Sequence, residues 1–240
     1  MTSLRDGSVV SDPRLDRLVY FDPTSRTFPV RHSLGADQQS PVTKLWTLPA
    51  TSPVLDQGPD GACVGFGVTN ELRFYPVPVR GLDAVFAKQR IYWEAQRIDE
   101  WAGGDYPGAD PAMEGTSVLA GVRIARRLGY ITEYRWAFGE RDLALAVSHL
   151  GPCVLGLAWW SDMMAPDAKG FLHRRGEVRG GHCVLCIGVN VRSRYYTIYN
   201  SWGPDWGAAG RAKISFTDMA ALLADDGEAV LPTGRAAPTA

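Results

Sequence analysis

The chain has 240 residues, of which 45% are hydrophobic and 21% are charged, a composition typical of a globular protein and unlike that of a disordered one. Its 25 basic and 26 acidic side chains leave a formal net charge of -1. Such a balance creates no positive field that would attract nucleic acid or an anionic lipid surface, so we expect neither as a partner.

Neither a membrane span nor a secretion signal is expected from the hydropathy pattern. The longest apolar runs, such as residues 183–187, are far too short to cross a bilayer, and the first ten residues contain no apolar signal core. The four cysteines are sparse, which favours free thiols in a reducing compartment. We therefore expect a cytoplasmic protein, although release by lysis or by a non-classical route stays open.

The first half of the chain reads as mainly helical. Residues 1–45 carry scattered charge and proline without a sustained period, which predicts an irregular extension. We expect this extension to be a permanent part of the fold rather than an inhibitory segment removed by cleavage. Helices are predicted from Cys63 to the residues before Pro76, over 82–97, from Ser117 to Gly129 and over 142–150.

The second half changes to apolar, strand-like runs at 153–160, 183–189, 195–199 and 211–215. A helical half followed by a sheet half predicts an α+β protein of two lobes, since a parallel α/β sheet would alternate its elements. We place the catalytic domain at 46–240, with a helical lobe over about 55–135 and a sheet lobe over about 136–232.

Cys63 is the best candidate nucleophile. It follows Gly61-Ala62 at the start of a predicted helix, where glycine allows a tight turn that would expose the thiol. The partial positive charge of a helix N-terminus favours thiolate over thiol and would lower the pKa of Cys63. An arbitrary single cysteine is more often a small buried apolar residue, but the glycine-rich surroundings weaken that interpretation.

His182 is the best placed of the four histidines to act as acid and base for that thiolate. It follows Gly180-Gly181 and opens an apolar strand, whereas the other three lie in the extension or among solvated residues. Asn200 ends a later strand, and its amide oxygen could fix the imidazole tautomer. Trp202 could shield that hydrogen bond from water.

The segments Gln57, Gly61-Ala62-Cys63, Gly181-His182 and Asn200-Ser201-Trp202-Gly203 resemble the papain family of cysteine peptidases in residue type and in order. His and Asn follow the cysteine by about 130 to 150 residues in that family. Here they follow it by 119 and 137 residues. The resemblance implies a two-lobed fold with an antiparallel, barrel-like sheet lobe and an active-site cleft between the lobes.

The same resemblance implies that Cys63 and His182 form a thiolate–imidazolium pair, that Asn200 orients the ring, and that Gln57 donates to the oxyanion. It implies a cysteine endopeptidase that acts on protein or peptide substrates through a thioester, needs no cofactor or metal, and could meet a protein inhibitor. Substrate-binding roles fall on a further set of residues: Gly61, Glu114, Gly115, Gly181, Trp202 and Trp206.

Three departures leave the substrate undefined. Asp60 stands where many members carry a disulfide cysteine, Val64 replaces the aromatic residue after the nucleophile, and only Gly115 remains of a usual glycine pair. Glu114, if it faces the cleft, would favour basic or polar groups. The sequence does not indicate an oligomeric state.

Other functions stay open on the same fold. An isopeptidase, an amidase or a transpeptidase would share the thioester and differ in what resolves it. A papain-like binding protein without turnover is a further alternative. A metal site on His182, Cys183 and Cys186 is disfavoured, because residues three apart on a strand point to opposite faces.

Overall fold

The computed structural model describes residues 1–235. Five α-helices occur in this range: α1 Cys63–Arg73, α2 Trp93–Gln96, α3 Val118–Arg127, α4 Glu140–His149 and α5 Phe216–Ala224. A π-helical stretch, Phe86–Tyr92, runs directly into α2. The helices predicted at Cys63, after Ser117 and near 142–150 are therefore confirmed, and the one predicted over 82–97 is confirmed with a later start.

The strands in the first half of the chain are short, and most of those in the second half are longer. In chain order they are β1 Thr2–Ser3, β2 Val9–Val10, β3 Arg17–Leu18, β4 Lys44–Leu45, β5 Thr116–Ser117, β6 Glu133–Trp136, β7 Cys153–Trp160, β8 Phe171–Leu172, β9 Val178–Asn190, β10 Tyr195–Tyr199, β11 Arg211–Ser215 and β12 Glu228–Thr233. All four predicted strands are present. The predictions did not include α5, β6, β12 or the two-residue strands β1 to β5 and β8.

The main sheet has eight strands in the order β6-β12-β7-β9-β10-β11-β8, with β4 added beside β9. Its pairs are antiparallel except β11 with β8. Within residues 1–235 the sheet stays open and does not close into a barrel. The mixed α+β class is confirmed.

Strand β9 serves two hydrophobic cores because its side chains alternate between the faces of the sheet. Val184 and Cys186 belong to the core that the sheet shares with α4 and α5. Cys183 and Leu185 belong to the core that the sheet shares with α1 and α3. This strand therefore joins the helical part of the molecule to the sheet part.

Helix α1 lies unusually close to its neighbours because two of its residues lack side chains. A Cβ at Gly67 would lie 2.5 Å from Sγ of Cys183, and one at Gly65 would lie 2.2 Å from the carbonyl oxygen of Ala87. Glycine is costly inside a helix, but here it permits a close approach that no other residue would allow. The approach fixes the N-terminus of α1, and hence Cys63, against β9.

The N-terminal 45 residues lie along the body of the molecule. Strand β1 pairs with β2, β3 runs parallel to β5, and β4 pairs with β9. Residues 12–18, which we name the cleft segment, pass between the helical part and the sheet part. Asp16 pairs with Gly181 in β9, and the next residue, Arg17, pairs with Thr116 in β5.

No helix within residues 1–235 has both the length and the apolar character needed to cross a lipid bilayer.

Candidate active site

Cys63 is the first residue of α1, and its side chain is fully buried. The expectation of an exposed thiol was wrong, because the cleft segment covers this end of the helix. The backbone N–H of Cys63 donates to Oδ1 of Asp16 at 3.2 Å. The Asp16 carboxyl group also lies close enough to the thiol to raise its pKa. An element distant in sequence thus occupies the space in front of the candidate nucleophile.

His182 and Asn200 lie side by side in the interior. Nε2 of His182 donates to Oδ1 of Asn200 at 2.8 Å, and both residues are fully buried. The same amide oxygen accepts the backbone N–H of Ser201 at 2.8 Å, which holds the amide in place. Nδ1 of His182 has no hydrogen-bond partner in the described part of the chain. That nitrogen is therefore available to exchange a proton.

Two tryptophans enclose the imidazole. The ring of Trp202 lies 4.7 Å from that of His182 between centroids, tilted by 30°, and the ring of Trp159 lies 4.7 Å away at 75°. Trp206 contacts Trp202 edge-on at 5.8 Å. Apolar rings around a hydrogen bond lower the local dielectric and strengthen it. Trp202 therefore contacts the imidazole directly, whereas Trp206 reaches His182 only through Trp202.

Gln57 is held with its amide nitrogen away from the sheet. Its Oε1 accepts the Ser201 hydroxyl at 2.8 Å, and its backbone N–H donates to the Ser201 carbonyl at 2.8 Å. Its Nε2 donates one hydrogen to the carbonyl of Asp60 at 2.9 Å. An amide nitrogen carries two hydrogens, so one remains for a ligand.

Burial dominates the electrostatics of both reacting groups. It raises the pKa of the Cys63 thiol well above its usual value, and the Asp16 carboxyl group and Cys183 raise it further. It lowers the pKa of His182 to about 4, which outweighs the opposite effect of the Asn200 hydrogen bond. From the helix N-terminus alone, the sequence predicts a lowered pKa for the Cys63 thiol. In this closed arrangement desolvation reverses the sign, and both groups are neutral near pH 7.

The cleft segment is anchored on both sides of Asp16. Nη2 of Arg17 forms an ion pair with Oε1 of Glu228 at 2.7 Å, and both side chains are almost fully buried. Leu15 is fully buried in the core of the sheet part. The guanidinium group of Arg14 lies over the Trp202 ring at 4.2 Å. The segment is therefore packed into the cleft through apolar, ionic and cation–π contacts.

The predicted substrate-binding residues divide between the two walls of the cleft. A Cβ placed on Gly61 would lie 2.7 Å from Oε2 of Glu114 and 3.1 Å from Oδ2 of Asp16. Gly115, beside them, donates its N–H to the Tyr92 hydroxyl at 2.8 Å. Gly181 lies across the segment, where a Cβ would lie 2.1 Å from the carbonyl oxygen of Arg17.

The alternative of a metal site finds no geometric support. Cys183 and Cys186 point into different cores, as the strand period required. Within residues 1–235, no group of three or more His, Cys, Asp and Glu side chains is arranged to hold an ion. All four cysteines are free and buried.

Four residues of the site were missed in the sequence. Asp16 and Arg17 lie in a stretch without periodicity, so no local signal marked them. Ser201 appeared in the sequence only as part of a motif. Its hydrogen bonds with Gln57 are seen only in the structure. Tyr92 lies on the helical wall near the Asp16 carboxyl group, and its hydroxyl accepts the Gly115 N–H at 2.8 Å. Their contacts join parts of the chain that are distant in sequence.

Comparison with known proteins bears on the family of this chain. A family model described as papain family cysteine protease matches residues 105–224, a range that contains His182 and Asn200 but neither Cys63 nor Gln57. The cathepsin B-like protein CP3 of Giardia intestinalis is 37% identical over 67 residues, which cover 27% of this chain and 22% of that protein. The chain thus matches less than a quarter of that relative's length.

More distant relatives cover nearly the whole chain. An uncharacterised peptidase C1-like protein of Acanthamoeba polyphaga mimivirus is 21% identical over 89% of this chain and 82% of its own. Xylellain, a cysteine protease from Xylella fastidiosa, superposes with a TM-score of 0.65 at 16% identity, over 95% of this chain and 99% of that one. The procathepsin B S9 structure from Trypanosoma congolense covers 95% of this chain and 89% of its own, with a TM-score of 0.53 at 13% identity.

At these identities the structural similarity shows the fold alone, and the family model indicates membership of the family. Because that model covers half of the chain and agrees with the fold, this protein belongs to the papain family of cysteine proteases.

Proposed function

We propose that the chain is a cysteine peptidase that hydrolyses peptide bonds with Cys63 as nucleophile and His182 as general base and acid. The observation that carries this proposal is the fixed imidazole of His182. Its Nε2 is held by Asn200, its Nδ1 is unpartnered, and its neighbour Gly181 lies across the cleft segment from Cys63. A buried histidine held at one nitrogen only is poised to move a proton.

The reaction follows from these groups once the cleft segment has left. His182 takes the thiol proton, and the Cys63 thiolate forms a bond to the carbonyl carbon while the carbonyl π pair moves to oxygen. The tetrahedral species collapses, the C–N bond breaks, and the imidazolium gives its proton to the departing amine. Water then attacks the thioester, His182 accepts the water proton, and the thiolate leaves and is reprotonated.

Two donors are available for the oxyanion. The Cys63 N–H lies at the N-terminus of α1, and Gln57 Nε2 has one hydrogen that is not used in a hydrogen bond. A single preorganised donor of this kind contributes about 3 kcal/mol to the transition state. Asp16 supports this assignment, because one of its carboxylate oxygens accepts the Cys63 N–H, as a reaction oxyanion would.

The arrangement with residues 12–18 in place is the resting form in this proposal. A buried thiol with a raised pKa and a neutral imidazole cannot reach a protein substrate, so the segment must move before catalysis. The sequence expectation that residues 1–45 are a permanent part of the fold is compatible with a segment that swings out without being cut. Self-cleavage near residues 45–53 with a gain of activity would instead favour a removable inhibitor.

The test is covalent labelling with an epoxysuccinyl inhibitor of cysteine proteases, read by intact mass and by peptide mapping. We expect one adduct, on Cys63, and none on the Cys63→Ala variant. His182→Ala should label far more slowly while keeping its thiol. The three other buried cysteines, which should stay unmodified, are internal controls. The absence of any adduct from a folded protein whose cleft segment has been loosened would overturn the proposal.

A further inference from the structure

Glu114 lies on the cleft wall two residues before β5, and its carboxyl group packs against the backbone just before the nucleophile. The backbone of Gly61 lies next to it, and this neighbour favours the ionised form of the carboxyl group. A Cβ at Gly61 would lie 2.7 Å from Oε2 of Glu114, so the carboxyl group packs directly against this part of the backbone. Glu114 is therefore fixed beside the reaction centre rather than free in solvent.

The position of Asp16 shows which part of a substrate would meet Glu114. Oδ1 of Asp16 accepts the Cys63 N–H at 3.2 Å, so its carboxyl carbon stands where a reacting carbonyl carbon would stand. Its other oxygen, Oδ2, lies beside Gly61 on the Glu114 side. The leaving nitrogen must face the sheet wall, where His182 would protonate it, because Asp16 pairs with the neighbouring Gly181. The other substituent of the carbonyl carbon, the Cα of the residue that supplies it, would therefore lie on the Glu114 side.

Two carboxyl oxygens beside Gly61 lack a hydrogen-bond donor in the closed form. Asp16 is fully buried, and its Oδ2 has no hydrogen-bond partner in the described chain. Oε2 of Glu114 is likewise buried and unpartnered. An unsatisfied buried acceptor is costly, and a cationic donor satisfies it best.

Nearby charges leave Glu114 without a counterion. The cations on this side of the cleft are already paired. Nζ of Lys88 is shared between Asp60 at 2.7 Å and Asp105 at 3.3 Å. Nη1 of Arg5, which donates to the Gly115 carbonyl at 3.1 Å, forms an ion pair with Asp99 at 2.7 Å. Glu114 forms no ion pair among residues 1–235. When the cleft segment departs, the wall beside Cys63 has an excess of negative charge.

We propose that Glu114 is a specificity-determining residue that selects substrates with a lysine or arginine side chain on the residue whose carbonyl Cys63 attacks. This inference rests on the proposed peptidase function and adds the chemical class of substrate. An ammonium or guanidinium group on that residue would donate to Oε2 of Glu114, and the carbonyl of the same residue would take the place of the Asp16 carboxyl group.

The ionisation of Glu114 agrees with this role. In the closed form burial raises its pKa to about 7, and the adjacent carboxyl group of Asp16 contributes in the same direction. Departure of Asp16 removes a like charge and admits water, and both changes lower the pKa of Glu114. The open form thus presents a carboxylate at pH 8.

The experiment compares two fluorogenic peptides that differ only at the residue before the scissile bond, arginine in one and citrulline in the other. Citrulline has nearly the shape of arginine but no charge. We expect the wild-type enzyme at pH 8 to favour arginine in kcat/KM by roughly 10- to 100-fold, the range for a hydrogen bond between charged groups. Glu114→Gln should bring the ratio close to one. Both peptides are tested on the same enzyme, so the fraction of molecules in the closed form lowers both values of kcat/KM equally and cancels from the ratio.

Asp60→Asn is the matched control, since it removes a nearby carboxylate that Lys88 already neutralises, and it should keep most of the preference. A wild-type ratio near one, a ratio unchanged in Glu114→Gln, or an equal loss in Asp60→Asn would each overturn the inference. If turnover is slow, acyloxymethyl ketones that carry the arginine or the citrulline peptide replace the substrates. The ratio of their Cys63 labelling rates then gives the same comparison. Failure of every probe to modify Cys63 or be cleaved would instead refute the proposed function.

Discussion

The buried ion pair between Arg17 and Glu228 anchors the cleft segment that covers Cys63, and we expect Arg17→Ala to expose the thiol. The two side chains are 1% and 0% exposed, and Nη2 of Arg17 also donates to the carbonyl of Asp226 at 3.0 Å. In the closed form of the variant, Glu228 would be buried without its partner. In the open form water reaches Glu228, so the substitution penalises only the closed form.

Removal of one partner of a buried ion pair costs roughly 3 to 5 kcal/mol. Water entering the space left by the guanidinium group offsets part of that cost, so we take about 3 kcal/mol, which corresponds to roughly a 100-fold shift toward the open form. Arg14→Ala is the graded control. Arg14 is partly exposed and lies over Trp202, so its loss should shift the equilibrium only a few-fold.

The assay is the rate of Cys63 alkylation by iodoacetamide, with unfolding temperature as the check on the fold. Arg17→Ala should react about 100 times faster than the wild type at pH 7.5. Gly181→Ala reaches the same state by a different route, because its Cβ would lie 2.1 Å from the Arg17 carbonyl oxygen and would displace the segment. A wild-type thiol that already reacts like free cysteine, or a folded Arg17→Ala protein that reacts as slowly as the wild type, would refute the reasoning.

Two further predictions concern the same cleft. Asp16 faces Cys63, Tyr92 and Glu114, and burial raises the pKa of both carboxyl groups in the closed form, that of Glu114 from 4.5 to about 7. The closed form therefore binds more protons than the open one, so labelling should increase between pH 4.5 and 7 more steeply than thiol ionisation alone requires. Asp16→Asn should flatten this increase, and a decrease over that range would contradict the assignment. Asn200→Ala should lower kcat/KM roughly 10- to 100-fold through the loss of a buried hydrogen bond, whereas unchanged peptide cleavage would exclude an orienting role.

The sequence by itself identified the α+β class, the family resemblance and the candidate residues Gln57, Cys63, His182 and Asn200. It could do so because these features are local. Helix α1 follows from its apolar spacing and the proline beyond it, and each candidate lies in a short motif whose residue types carry their own chemistry. The structure places these motifs around one cleft.

The residues that fill that cleft are brought there by contacts between distant parts of the chain, and the sequence did not predict them. Asp16 contacts Cys63 across 47 positions, and Arg17 contacts Glu228 across 211, so neither contact leaves a trace in periodicity or composition. The protonation states follow the same rule. A helix N-terminus favours a thiolate, yet complete burial by the cleft segment outweighs it and raises the pKa of Cys63. The charge state of a nucleophile depends on everything packed around it, and chain neighbours supply only a part of that environment.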